Sequence, residues 1–334
     1  MTTVAVIIPY YQKREGILRR ALASVLEQKL PPGVLVNVIV ADDGSPIPTQ
    51  REIEGLTFVT PFSLTVIEQP NAGVSVARNI CLDNMSPETD YVAFLDSDDI
   101  WHPDHLATAV QALDRGYDFY FCDGKRSDCK ETLYQETGFL DDLTGHSADL
   151  GNGLYEPDKV WFFDKALRWA MFQTSTVAYR HGVMPDLRFE TSLRLAGEDC
   201  LFFYQLIQKC RGICCLVSSM VTQADGINIF ASRIGWNNPD TIALQMGRIL
   251  AYYRFRDCLV LSKSNRRHLQ SRIHKCRTFF TFLAVRAFVK SRAPWTDELC
   301  SLIRLDRGFW LWFPLYALYV IVGYPTRLYS PIAK

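Results

Sequence analysis

The stretch Tyr91-Val-Ala-Phe-Leu-Asp96-Ser-Asp98-Asp99-Ile-Trp101 decides how the rest of the chain is read. Tyr91 to Leu95 is an apolar run of strand length, and it leads straight into three carboxylates. Like charges this close repel and raise one another's pKa, so a cluster held ionised implies a cation beside it. Oxygen-only ligands suit a hard divalent ion, Mn²⁺ or Mg²⁺, and such an ion suits a diphosphate. A strand followed by a turn and a helix cap has the same composition, with Asp98 or Asp99 as the capping acid. The stretch alone leaves both readings open.

Working outward, Val4 to Ile8 is a second short apolar run, ended by Pro9-Tyr10-Tyr11. Ile17 to Gln28 has helical spacing, and Val34 to Ala41 is a strand ending in Asp42-Asp43-Gly44-Ser45. Leu64 to Ile67 is the next strand, and a helix over about Val74 to Met85 carries Arg78 and Asn79. After the Tyr91 strand come a helix from Pro103 to about Arg115 and a strand from Asp118 to Cys122. Short apolar strands alternating with helices predict an α/β fold, a mostly parallel sheet flanked by helices. Ligands in such sheets bind beyond the carboxyl ends of the strands. Pro9-Tyr10, Asp42-Asp43 and Asp96 to Asp99 all fall there, which favours the cation reading over mere turns. Residues 123 to 155 carry no periodic signal and read as a loop region. A helix from Pro157 to about Met171, a strand around Ser175 to Tyr179 and a helix from Cys200 to Ile207 follow. Gly197-Glu198-Asp199 opens that last helix, either as plain capping or as a carboxylate at the mouth of the site.

These blocks resemble family 2 glycosyltransferases of the GT-A fold. The resemblance covers about residues 3 to 225. It rests on Val6-Ile7-Ile8-Pro9-Tyr10-Tyr11, Val40-Ala41-Asp42-Asp43-Gly44-Ser45, Asn71 to Asn79, Phe94-Leu95-Asp96-Ser97-Asp98-Asp99 and Gly197-Glu198-Asp199, in that order. The resemblance implies that Pro9 and Tyr11 line the nucleotide pocket of a UDP-sugar. It implies that Asp43, with Asp42 close by, accepts the uracil N–H, and that Arg78 lies near nucleotide or phosphate while Asn79 supports the loop. Asp96 is then a ribose contact, Asp98 the ligand of Mn²⁺ or Mg²⁺, and Asp99 a cap or supporting acid. Asp199 resembles the catalytic base of an inverting transfer, with Glu198 as its competitor.

The 334 residues are 48% apolar and 22% charged, with a formal net charge of zero, which excludes a whole-protein attraction to nucleic acid. Arg and Lys crowd the chain from about Arg248 to Arg307, pointing to a local anionic partner such as a membrane surface. No nucleic-acid motif accompanies them. The ten cysteines lack C-x-x-C spacing and read as buried thiols. The first nine residues read as a strand rather than a signal peptide, and with the free thiols they predict a cytoplasmic protein. Gly308 to Thr326 is uncharged and rich in Trp, Tyr and Phe, with Pro314 inside. It is near the length of a bilayer span, yet it suits a helix lying in the interface better. Packing on the catalytic domain is the other reading.

The expected organisation is a catalytic domain over 1–235 and a helical, basic and aromatic extension over 236–334. The layout, including Ala224-Asp225-Gly226-Ile227-Asn228-Ile229, resembles bacterial exopolysaccharide enzymes of the succinoglycan type. This implies a sugar donor of the UDP class, with glucose favoured, and a polyprenyl-diphosphate-linked glycan acceptor at the cytoplasmic face of the inner membrane. A polyprenyl-phosphate sugar synthase and a non-catalytic nucleotide-sugar-binding membrane protein are the alternatives. A nucleotidyltransferase would need a glycine-rich phosphate loop after the first strand, which is missing.

Overall fold

The computed structural model describes residues 1–169, 171–224, 240–289, 304 and 306–322. Strand β1 (Thr2–Tyr10) is the spine, buried from Val4 to Tyr10. Helix α1 (Ile17–Leu26) follows, and its Leu18, Ala21, Leu22 and Val25 share one apolar cluster with Val4, Val6 and Ile8. Then come β2 (Val34–Asp42), the short α2 (Thr49–Ile53), β3 (Phe62–Glu68), α3 (Val74–Asp83) and β4 (Tyr91–Phe94). β1 pairs in parallel with β2 and β4, and β2 with β3, so their carboxyl ends share one edge. Pro9 lies beyond the last β1–β4 pair, Ile7 with Phe94, where a missing N–H breaks no ladder to β4.

The second half of the sheet is mixed rather than parallel. After β4 come β5 (Asp99–Trp101), α4 (His105–Asp114) and β6 (Phe119–Arg126). Residues read as a loop instead form α5 (Leu133–Thr137), α6 (Phe139–Leu143) and a hairpin of β7 (Ser147–Gly151) and β8 (Leu154–Pro157). Each is too short to show a helical or strand period in sequence. Helix α7 (Lys159–Ala166), a 3-10 turn at Thr174–Thr176, β9 (Val177–Arg180), α8 (Glu198–Lys209) and β10 (Ile213–Gln223) complete the series. The sheet order is β3-β2-β1-β4-β9-β6-β10-β8-β7, with β5 paired to β10. β9 runs antiparallel between β4 and β6, whereas β10 is parallel to β6.

Among the described residues three long helices follow: α9 (Asp240–Cys258), α10 (Lys263–Val289) and α11 (Arg307–Val322). Ile249, Phe280, Leu283 and Phe309 make their apolar core. The chain divides into two compact units, 1–191 with 202–227, and 192–201 with 228–334. Of the Ala224–Ile229 block, everything after Ala224 lies outside the described residues, as does 323–326. Not all of the basic run is surface. Arg277 forms a buried ion pair with Asp306 at 2.7 Å, and Arg272 donates to the Tyr252 hydroxyl. Among the described residues no helix is long and apolar enough to cross a membrane.

Candidate active site

The parallel register brings the expected blocks side by side. Tyr10 pairs with Asp42, and Asp96 follows two residues after the Ile7–Phe94 pair. Gln12 stitches the three ends together. Its amide N–H donates to Ser45 Oγ (2.9 Å), its carbonyl accepts from the same hydroxyl (3.0 Å), and its Nε2 donates to Ser97 Oγ (3.3 Å). Tyr11, half-buried, stands beside this junction, while the buried Tyr10 spends its hydroxyl on the Ile47 carbonyl (2.8 Å).

The two acids of β2 have different tasks. Asp42 accepts from Ser45 N (2.7 Å), Thr49 N (3.2 Å) and Thr49 Oγ1 (2.7 Å), which fixes the loop into α2. Asp43 turns to the other side and accepts from Gln69 Nε2, Ala72 N and Gly73 N at 2.6, 2.7 and 2.9 Å. It holds the loop that opens α3. A carboxylate has about four acceptor sites, so Asp43 Oδ2, which takes the Gly73 amide, keeps room for another donor. Between the two loops Gly44 has φ +69°, and a Cβ there would stand 3.0 Å from Asn71 N. Only glycine satisfies both constraints.

Arg78 is buried, and its NH2 donates to Asp96 Oδ1 (2.8 Å). The acidic turn is pinned from a quarter the sequence did not single out. Ser175 Oγ accepts from Asp96 N (3.0 Å) and donates to Asp99 Oδ2 (2.5 Å), and the Ser175 carbonyl accepts from Trp101 Nε1 (2.8 Å). Asp99 is therefore not a helix cap. It begins β5, opposite Gln223 of β10, and α4 starts only after Asp104. Burial, then the charge of Asp96, pushes the Asp99 carboxyl well up. Burial and Asp96 likewise push Asp98 up, to about 6.

Among the described residues no three His, Cys, Asp or Glu side chains converge into a closed metal cage. A hard cation that also takes substrate phosphate oxygens needs only one or two protein carboxylates and keeps its remaining positions for water and phosphate. Asp98 fits that use. It is half-buried, among the described residues accepts from no other side chain, and has its ionised form disfavoured by burial and by the neighbouring Asp96 charge. The described cysteines are free thiols, and Cys214 and Cys215 are buried within β10 as expected of packing residues.

Asp199 lies in the first turn of α8, where its Oδ1 accepts from Cys200 N (2.7 Å). Gly197 before it has φ +84°, and a Cβ there would stand 2.7 Å from Ala251 Cβ of α9. Further along, α8 joins the sheet through Phe202 and Phe203, whose rings meet Phe94 at 5.7 and 5.6 Å.

A family model described as "Glycosyl transferase family 2" matches residues 5–171, which include the β1, β2, α3 and β4 blocks. The chain belongs to glycosyl transferase family 2. It is 37% identical to the succinoglycan biosynthesis protein ExoW of Rhizobium meliloti over 235 residues, 70% of this chain and 72% of that one. It is 30% identical to the minor teichoic acid biosynthesis protein GgaA of Bacillus subtilis over 206 residues, 61% of this chain and 43% of that one. Among solved structures, S. aureus TarS 1-349 in complex with UDP-GlcNAc superposes with a TM-score of 0.61 at 17% identity, covering 98% of this chain and 93% of that one. At that identity the likeness establishes the shared GT-A fold. As a member of this family the chain is a glycosyltransferase, and the expected α/β, GT-A architecture of a sheet flanked by helices stands, with the second half of that sheet mixed.

Proposed function

We propose that this glycosyltransferase transfers a sugar with inversion from a UDP-sugar, glucose being the first candidate, to a hydroxyl of a lipid-linked glycan during exopolysaccharide synthesis. The observation that carries the reading is the acidic turn Asp96–Asp99, pinned level with the ends of β1 and β2, with Asp98 pushed up to about 6 and, among the described residues, unused by other side chains. Asp98 holds Mn²⁺ or Mg²⁺, with Asp96 beside it as the ribose contact. The bound metal supplies positive charge to the leaving diphosphate. Pro9 and Tyr11 line the base pocket, Asp43 accepts the uracil N–H through its remaining capacity, and Asp42 shapes the adjoining loop. Arg78 orients Asp96.

Asp199 takes the proton from the acceptor hydroxyl as that oxygen attacks the anomeric carbon and the bond to UDP breaks. Attack from the face opposite UDP turns an α-linked donor into a β-glycoside. Residues 1–235 form the catalytic domain and 236–334 attach it to the cytoplasmic face of the inner membrane. The exposed side of α11, with Leu311, Trp312, Leu315, Leu318 and Tyr319, supports attachment in the interface plane. Exposed Lys263, Arg266, Arg267 and Lys275 on α10 supply positive charge for anionic lipid. The similarity to ExoW supports the pathway class.

A screen of UDP-sugars for Mn²⁺-dependent transfer by membrane-bound protein tests the donor. Asp199→Asn is expected to abolish transfer while UDP binding in Mn²⁺ survives; full activity of that variant would remove Asp199 from the mechanism.

A further inference from the structure

We propose that Asn79 is a positioning residue for the segment 190–201, which carries Asp199, and that it acts through Phe189. The proposal rests on the reading of Asp199 as the base. Asn79 Nδ2 donates to the Phe189 carbonyl (2.9 Å), and Asn79 Oδ1 accepts from the Phe189 N–H (2.7 Å). One side chain thus gives the backbone of Phe189 both bonds a neighbouring strand would give, across 110 positions of sequence. A carboxamide places a donor and an acceptor side by side, whereas a carboxylate has no donor and a methyl has neither.

The ring of Phe189 is held as firmly as its backbone. It stacks on Phe202 of α8 with centroids 4.1 Å apart and planes 6° from parallel, and it meets the edge of Phe94 at 5.6 Å. The Arg78 guanidinium lies 5.2 Å from its centroid, and the same guanidinium donates to Asp96. The Phe189–Phe202 stack therefore clamps together the two ends of segment 190–201. The adjacent residues Arg78 and Asn79 link that clamp to the acid placed on the donor side. Joining the ends of a segment narrows the conformations open to it before substrate arrives. Displacing a proton acceptor by about 1 Å can cost about 100-fold in rate, so the clamp acts on turnover rather than on donor affinity.

The test uses full-length Asn79→Ala, with hydrogen exchange read peptide by peptide, calorimetry of UDP in Mn²⁺, and turnover of the UDP-sugar chosen by the screen above. Exchange is expected to rise over 190–201 and not over β1 and β2. UDP affinity stays within about two-fold, and kcat falls about ten-fold or more at unchanged donor KM. Asn79→Asp, which sets a carboxylate oxygen against the Phe189 carbonyl, loosens the same segment. If Asn79→Ala fails to fold, Phe189→Leu carries the comparison, since it keeps the backbone pairing and removes the stack. Unchanged exchange over 190–201 overturns the proposal. So does a loss of UDP affinity in step with kcat, or a loosened segment with turnover intact. Should Asp199→Asn prove fully active, the base assignment falls, and the exchange pattern still decides whether Asn79 holds the segment.

Discussion

Ser175 shows how much one hydroxyl can carry. It accepts from the Asp96 amide and donates to the Asp99 carboxylate, so a single side chain fixes both ends of the turn that presents Asp98. Asp99 is 6% exposed, and without that donor its ionised form loses its nearest stabilising contact. Leaving a buried acceptor unpaired costs about 1–3 kcal/mol. Ser175→Ala is therefore expected to lower the unfolding free energy by about that amount and to weaken UDP binding in Mn²⁺ about ten-fold. Calorimetry and denaturant titration measure the two effects, and wild-type values in both would show that Ser175 does not pin the turn. In the sequence Ser175 is an unremarked residue at the head of an expected strand. Asp43, Asp96 and Asp98 could be singled out because acids at strand ends are chemically costly, but a serine carries no such mark.

At the scale of an element, α4 illustrates what burial does to a polar residue. His105, at its first position, is fully buried, stacks on Trp101 at 4.6 Å and has Nδ1 3.6 Å from Cys122 Sγ. Among the described residues its Nε2 has no hydrogen-bond partner. Burial, with a small contribution from His102, holds the imidazole neutral by lowering its pKa to about 3. The unfolded chain binds that proton near pH 6.5, whereas the folded protein resists it until about pH 3. His105 therefore costs stability as the pH falls from about 6.5 towards 3, and costs nothing above that window. Between pH 7.5 and 5 wild type is expected to lose up to about 2 kcal/mol that His105→Phe keeps. Denaturant midpoints of the two proteins across that range give the answer; parallel pH profiles would exclude His105 as the source. The short strands β7 and β8 teach the opposite lesson, because their formation follows from joining a sheet edge and not from a period of their own.

Across the whole molecule, α11 uses both of its faces. Phe309 is fully buried against Phe280, while Leu311 is 81% exposed and Leu315 and Leu318 lie along the same outer side. Three buried leucines are worth several kcal/mol, at about 1.5–3 kcal/mol each. Replacing Leu311, Leu315 and Leu318 together with serine is expected to weaken binding to vesicles containing anionic phospholipid about 100-fold or more. Turnover on a water-soluble acceptor should be untouched. Cosedimentation reads the first effect, and equal binding by the variant would exclude this face as the membrane contact. The same segment shows why a hydropathy pattern is ambiguous: its uncharged sequence fits a span, a surface helix or a packed helix equally, and the partition of its side chains appears only once α10 is in place.

The sequence by itself determined the family, the parallel first half of the sheet and the strand-end acids. Each of these is a local signal: an apolar run of strand length, a turn after it, and charges that need a partner. Tertiary structure alone decided which of those acids are occupied. Asp42 and Asp43 are drawn into opposite loops, Asp99 into β5 and Ser175, and Asp96 to Arg78, while Asp98 has no side-chain hydrogen bond among the described residues. It also decided that Asn79 serves Phe189, and that β9 enters antiparallel between β4 and β6. These outcomes depend on pairings between residues tens to more than a hundred positions apart. Such pairings are fixed by packing and by the demand that every buried donor and acceptor find a partner, and no local pattern records them.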